Sequence, residues 1–220
     1  CSSFLYGMST AAAYIQSGRY KKVLLIGADK MSSIVDYKDR STCIIFGDGA
    51  GAAVLRREED LSKGILSTHM HSEGQHAEEL YVQAPGMGGR WITDILADND
   101  PNDESYSPYM NGQFVFKNAV SRFAEVINEG LEANNLQVSD INMLIPHQAN
   151  LRISQFIQKK FGLDDNQVFN NIQKYGNTTA ASIPIALTEA WEQGKIKSGD
   201  LLVLAAFGSG FTWGSAIIRW

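Results

Sequence analysis

Cysteine is scarce in this chain. Two in 220 residues cannot build a disulfide framework, and they fit a reducing, cytoplasmic setting. Long apolar runs are lacking too. None approaches the roughly 20 residues that cross a bilayer as a helix, so no membrane partner is expected. Basic excess is absent, with 19 Lys and Arg against 24 Asp and Glu and a formal charge of −5. A general nucleic-acid binder would normally show a basic face, so nucleic acid is not expected either. There is no initiator methionine and no visible leader, although residues preceding Cys1 would hide one. No segment is long and polar enough to read as disordered. What is left is a globular chain long enough for one large domain or two small ones. Its least regular stretch is 84–112, rich in Gly, Pro, Asn and Asp, which reads as a long loop excursion.

An internal repeat organises the rest. "AAAYIQSGRYKKVLLIGADK", continued later by "CIIFGDGAGAAVLR", matches "IALTEAWEQGKIKSGDLLVLAAFGSGFTWGSAIIR" element by element. Each passage reads as an Ala-rich helix closed by a glycine, Gly18 or Gly194. Each then enters a buried apolar strand, 22–28 or 200–206. Each reaches Phe-Gly-x-Gly, at Phe46 or Phe207, and a second apolar strand ending in Arg. Four elements in one order predict duplicated α/β halves, 1–110 and 111–220. Aligning Gly18 with Gly194 sets Cys1 opposite Asn177. The second half has a strand and an amphipathic helix before that point, "INMLIPHQANLRISQFIQKKFGL", whereas nothing in the sequence precedes Cys1. By symmetry the chain reads as a fragment that begins inside its N-terminal half.

Cys1 is expected at a helix N-terminus, where the dipole and free N–H groups favour a thiolate; the bland reading is a small buried hydrophobe. Cys43, in an apolar strand-like run, takes the bland reading. His147 follows "MLIP" at the C-terminal end of a strand, where α/β folds place their chemistry. Asn177 could be only a helix N-cap. As a set, thiol, imidazole and amide all fall at element ends, and two of them are repeat-equivalent. "FGDGAGAAV" leads into a strand and not a helix, so it is no dinucleotide fingerprint; Gly47, Gly49 and Gly51 read as a tight backbone passage. The N–H groups of "FGSGFTWG" could face an oxyanion. His69 and His71 alternate on one strand face with His76 nearby, but they lack further ligands and read as solvated histidines in preference to a metal site. Arg152, Lys159 and Lys160 form a basic cluster after His147, extended by Lys117 on a helix over 113–133. It is either a solvated helix face or a dock for an acidic partner.

The stretches "CSSFLYG", "DRSTCIIFGDGAGAAVL", "PHQANLRI", "YGNTTAASIPIAL" and "FGSGFTWGSA" together closely resemble the β-ketoacyl-acyl carrier protein synthase III family of condensing enzymes, within the thiolase superfamily. The resemblance covers nearly the whole chain and weakens over 84–112. It implies a thiolase-like fold of duplicated α/β layers with central mixed sheets, its N-terminal half truncated. It also implies an acyltransferase that joins an acyl-CoA primer to malonyl-acyl carrier protein in a decarboxylative Claisen condensation, initiating fatty-acid synthesis. Cys1 would be the acylated nucleophile, with His147 and Asn177 completing the set. Backbone N–H groups of Cys1 and Ser209 would form the oxyanion hole. Phe207 would help fix the floor of the site. Arg40, Asn150 and Arg152 resemble positions that contact coenzyme A or the carrier, and Lys117, Lys159 and Lys160 match a carrier-docking patch. No cofactor and no metal is implied, coenzyme A entering only as a thioester substrate, and the protein would be a cytoplasmic homodimer. Ser209 stands where the family usually has Gly, a departure that matters if the loop needs positive φ there. Two rivals share parts of the pattern. One is a related condensing enzyme of secondary metabolism making quinolones, polyketides or acyl esters. The other is a papain-like cysteine hydrolase, whose surroundings differ from Cys1-Ser2-Ser3-Phe4.

Overall fold

Helices rich in small apolar residues, Ser3–Gln16 and Ser182–Glu192, alternate here with apolar strands such as Leu201–Gly208, buried at every residue, a pattern that buries both faces of a central sheet between helices. The computed structural model describes residues 1–84 and 104–220. Its order is α1 (Ser3–Gln16), β1 (Lys22–Lys30), β2 (Asp48–Arg56), β3 (Gly64–Ser72), β4 (Leu80–Tyr81), β5 (Tyr109–Met110), α2 (Gly112–Ala133), β6 (Met143–Pro146), α3 (Leu151–Phe161), the single turn α4 (Ile172–Tyr175), α5 (Ser182–Glu192), β7 (Leu201–Gly208) and β8 (Thr212–Arg219). Strand order in the main sheet is β3-β8-β7-β6, with β6 parallel to β7 and the other pairs antiparallel. β1 and β2 form a second, antiparallel pair from Lys22↔Arg56 to Lys30↔Asp48. These are the duplicated layers and mixed sheet of a thiolase-like fold.

The repeat is visible in detail. α1 and α5 both end on a glycine with positive φ, +75° at Gly18 and +69° at Gly194. The following N–H reaches back in the same way, Arg19 to the Tyr14 carbonyl and Lys195 to the Ala190 carbonyl. Each helix then feeds a strand that doubles back through the Phe-Gly motif. β3, from the first of the two segments separated at 110, hydrogen-bonds to β8 in the second.

The core forms on both faces of the main sheet. Val203, Ala205, Phe207 and Ile217 face α2 and α3 in a cluster with Phe123, Ile127 and Ile157. Leu202, Leu204, Ala206 and Ile218 face α1 and α5, with Phe4, Leu5 and Ile183. α1 and α5 also pack on β1 and β2, so they lie between two sheets. The far face of the β1–β2 pair carries Leu24, Ile26 and Val54, each at least 60% exposed. No helix among the described residues is long and apolar enough to cross a membrane.

Three expectations change. Cys43 sits in a turn and not a strand, because Asp39 draws the 39–45 segment into successive turns through Ser41, Thr42 and Cys43. The excursion over 84–112 lies outside the described residues from 85 to 103, while its far end is ordered as a short 3-10 turn and β5, which pairs with β4. His69 is not a solvated histidine. It is 14% exposed at the side chain, with Nδ1 3.4 Å from Glu129 and Nε2 2.9 Å from Ser67 Oγ. His71 reaches the same Glu129 at 2.6 Å and stacks on Trp213, and His76 packs on Phe114 and Phe211. Among the described residues no group of three or more His, Cys, Asp or Glu side chains is placed to hold a metal ion.

Candidate active site

Symmetry brings each repeat's Phe-Gly turn against the other repeat's candidate site residue. Gly208, at the end of β7, lies so close to Cys1 that a Cβ there would stand 2.9 Å from Cys1 Cβ and 3.3 Å from its Cα. Gly47, its repeat counterpart, would place a Cβ 2.2 Å from the Tyr175 carbonyl oxygen, beside Asn177. Only glycine leaves room for backbones this close. The second contact is fixed by a bridge between Phe46 and Asn177, in which Gly47 N–H donates to the Asn177 carbonyl and Asn177 N–H to the Ile45 carbonyl. The first is tied by Ser2 Oγ, 2.5 Å from Thr212 Oγ1, whose hydroxyl also donates to the Ser209 carbonyl. The tight passage read at Gly47, Gly49 and Gly51 therefore has a partner, the 175–185 segment.

Cys1 lies one residue ahead of Ser2, the N-cap of α1. Asn177 is not a helix N-cap, because a 3-10 turn over Thr179–Ala181 intervenes before α5 and Ala181 takes the cap position. Its Oδ1 instead accepts the Thr179 N–H at 2.9 Å, which leaves the amide Nδ2 as the donor end. Thr179 pays for this turn with φ of +49°, a conformation that costs a β-branched residue on the order of 1–3 kcal/mol.

His147 follows β6 and is 3% exposed. Its N–H donates to the Ala205 carbonyl at 2.7 Å, which extends the β6–β7 ladder by one bond. Burial pushes its imidazole pKa down to about 3, so the ring is neutral near pH 7. Nδ1 lies 2.6 Å from Ser182 Oγ, and Nε2 is buried with no partner among the described residues.

Cys1, His147 and Asn177 line one cavity of about 860 Å³. Asn150, Arg152, Phe207 and Ser209 line it as well, and Tyr81, Met110 and Phe116 extend an apolar wall. Phe207 is 4% exposed and held against Phe211, with ring centroids 4.8 Å apart. Asn150 spends its Oδ1 as the N-cap of α3, accepting from Arg152 N–H. The Ser209 question is settled by its neighbour: the positive φ in this loop, +126°, falls on Gly210, and Ser209 needs none. Lys159 and Lys160 are exposed in the last turn of α3, and Lys117 is exposed on α2, which packs on α3. Arg40 is exposed beside Ser41, which reaches the cavity although Arg40 does not line it. The sequence reading passed over Ser182, Thr179 and Gly208. Nothing in "NTTAAS" marks one hydroxyl as special until the strands bring it to His147.

The segment that carries Asn177 is anchored from behind. Glu189 accepts from Asn171 Nδ2, Lys174 Nζ and Tyr175 Oη. Burial raises its pKa, but these donors outweigh burial and hold the carboxyl at about 2. A carboxyl held below its unfolded value, about 4.3, contributes stability above that value and loses it as the pH falls towards the folded one. Glu189→Gln should therefore lower the denaturant midpoint at pH 7, and the gap to wild type should narrow by about pH 3. An equal gap at both pH values would count against a charged anchor.

Comparisons with known proteins point one way. The family model described as "3-Oxoacyl-[acyl-carrier-protein (ACP)] synthase III" matches residues 1–74, and its C-terminal companion matches 131–220. A β-ketoacyl-[acyl-carrier-protein] synthase III of Rhodospirillum centenum is 45% identical over all of this chain and 65% of its own length. One from Clostridioides difficile is 46% identical, again over all of this chain and 65% of its own. The chain thus spans just under two thirds of the length of these curated relatives. The crystal structure of 3-oxoacyl-[acyl-carrier-protein] synthase III from Aquifex aeolicus superposes with a TM-score of 0.87 at 43% identity, covering 99% of this chain and 64% of that one. The priming β-ketosynthase of the R1128 polyketide biosynthetic pathway superposes at 0.84 with 29% identity, over 99% and 63%.

Proposed function

Because the chain belongs to the 3-oxoacyl-[acyl-carrier-protein] synthase III family, we propose that it acts in condensing an acyl-CoA primer with malonyl-acyl carrier protein, the first carbon–carbon bond of fatty-acid synthesis. The observation that carries this is the meeting of Cys1, His147 and Asn177 on one cavity whose wall also includes the exposed Arg152. The segments 1–110 and 111–220 are the two halves that supply them. Cys1 thiolate attacks the acyl-CoA carbonyl. The tetrahedral oxyanion is held by the backbone N–H groups of Cys1 and Ser209, and coenzyme A leaves as its thiolate, which takes a proton from solvent. Malonyl-carrier then enters, its carboxylate carbon–carbon bond breaks, CO₂ departs, and the electron pair becomes an enolate. His147 and Asn177 donate to that enolate oxygen. The enolate carbon attacks the acyl-Cys1 carbonyl, expels the thiolate and leaves a 3-oxoacyl-carrier. Two neutral donors suit this step, since a buried cation would need its own partner.

Arg152, Lys159, Lys160 and Lys117 are the dock for an acidic carrier, and Arg40 and Asn150 are contacts for coenzyme A or the carrier arm. The family likeness supports a cytoplasmic homodimer. A priming role in polyketide synthesis is the second reading, favoured by the R1128 likeness, and the two part on which carrier protein is used. Acyl-CoA should add one acyl group, on Cys1, and none on the turn residue Cys43 (intact mass and peptide mapping), after which malonyl-carrier should release CO₂. Label on Cys43, or on neither cysteine, would sink the assignment.

A further inference from the structure

The condensation needs His147 to donate a hydrogen bond from Nε2, yet a neutral imidazole offers a donor on only one of its two nitrogens. We propose that the Ser182 hydroxyl donates to His147 Nδ1 and thereby fixes the imidazole as its Nε2–H tautomer. Ser182 is a positioning residue in this role, acting on substrate only through His147.

The assignment follows from counting hydrogens. Ser182 Oγ lies 2.6 Å from His147 Nδ1 and 3.3 Å from Gln148 N. The Gln148 N–H can only donate, so it occupies one lone pair of the hydroxyl. If Nδ1 also carried a hydrogen, Ser182 would accept twice. Its own hydrogen would then have no acceptor among the described residues, at a site where Ser182 is 2% exposed. A buried hydroxyl hydrogen left without a partner is costly. The opposite arrangement satisfies every atom at this point: Gln148 donates to Ser182, and Ser182 donates to Nδ1. It leaves one open group, Nε2–H, on a residue that lines the cavity, and Nε2 is the ring nitrogen that is buried without a partner. An oxyanion is the acceptor such a group lacks.

Asn177 is treated alike. The Thr179 N–H occupies its Oδ1 and leaves Nδ2 to donate. One short segment, 177–182, thus sets the polarity of both enolate donors. Ser182 is placed there by its position as the first residue of α5, one turn beyond Asn177.

The test has two arms, and only the kinetic arm rests on the condensation reading. In protein with ¹⁵N-labelled histidine, the His147 ring should show its proton on Nε2, the assignment made from the signals lost in His147→Gln. Ser182→Ala should give a mixture of tautomers, and Ser182→Thr should restore the single form. Malonyl decarboxylation should fall about 10- to 100-fold in Ser182→Ala, by analogy with loss of the orienting partner of a metal-ligating His, while acylation of Cys1 changes by less than about threefold. A wild-type ring protonated on Nδ1 would overturn the proposal, as would a Ser182→Ala protein with unchanged tautomer and rate. If the alanine variant fails to fold, the wild-type spectrum still decides. Wild-type protein that releases no CO₂ would sink the condensation reading and leave the tautomer to the spectrum.

Discussion

Alanine at His147 or at Asn177 will leave Cys1 able to take up an acyl group, while malonyl decarboxylation falls by about 10²- to 10³-fold, the usual loss for one donor to a developing oxyanion. The split follows from when charge appears. In the proposed scheme, acyl transfer to Cys1 builds its oxyanion against the backbone of Cys1 and Ser209, and neither side chain takes part. Decarboxylation builds an enolate, and its two proposed donors are Nε2–H of a buried neutral ring and Nδ2–H of an amide whose other end is occupied. Interactions made only with that enolate lower the second barrier alone. Radiolabelled CO₂ release and intact-mass acylation read the two steps separately. The double variant should lose less than the product of the single losses, because residues acting on one oxygen are not additive. Both single variants decarboxylating at the wild-type rate would show the roles to be wrong.

The second large effect is steric, and the repeat makes it selective. Gly208→Ala drives a methyl group against the Cβ and backbone of Cys1, and Gly47→Ala drives one against the Tyr175 carbonyl beside Asn177. Overpacking of this kind costs roughly 1–3 kcal/mol of stability, which both variants should show as a lowered Tm. Their chemistry should differ. Gly208→Ala displaces Cys1, the proposed nucleophile, and should cut its acylation by at least about tenfold, since small misplacements at a reacting centre are costly. Gly47→Ala displaces the segment that carries Asn177 and should spare acylation more than decarboxylation. Equal losses in both half-reactions from both variants would mean that the two glycines serve general packing only.

Much of this was readable before any fold. The Ala-rich helices, the apolar strands, the paired glycines Gly18 and Gly194 and the Phe-Gly motifs follow from local periodicity and backbone sterics, which a linear sequence carries in full. The equivalence of Cys1 and Asn177 followed from aligning the repeats. Sequence was less reliable where polar side chains recruit the backbone. Asp39 turned an apolar run into turns around Cys43, and Asn177 formed a local turn in place of a helix cap. In both places short-range hydrogen bonds won over the apolar pattern.

Tertiary structure alone decided the state of the site. Ser182 is one hydroxyl among several in a run of small residues, and only the packing of α5 against the end of β6 sets it 2.6 Å from His147. The neutrality of that imidazole comes from layers on every side of it, and burial is a property that no single element contains. Ser209 is tolerated because the positive φ falls one residue later, on Gly210, which composition does not reveal. The residue types proposed for the chemistry are therefore written in the chain, because thiol, imidazole and amide are covalent facts. Which nitrogen carries a proton, and which face of each group is left open, depends on partners distant in sequence that only folding brings within hydrogen-bond reach.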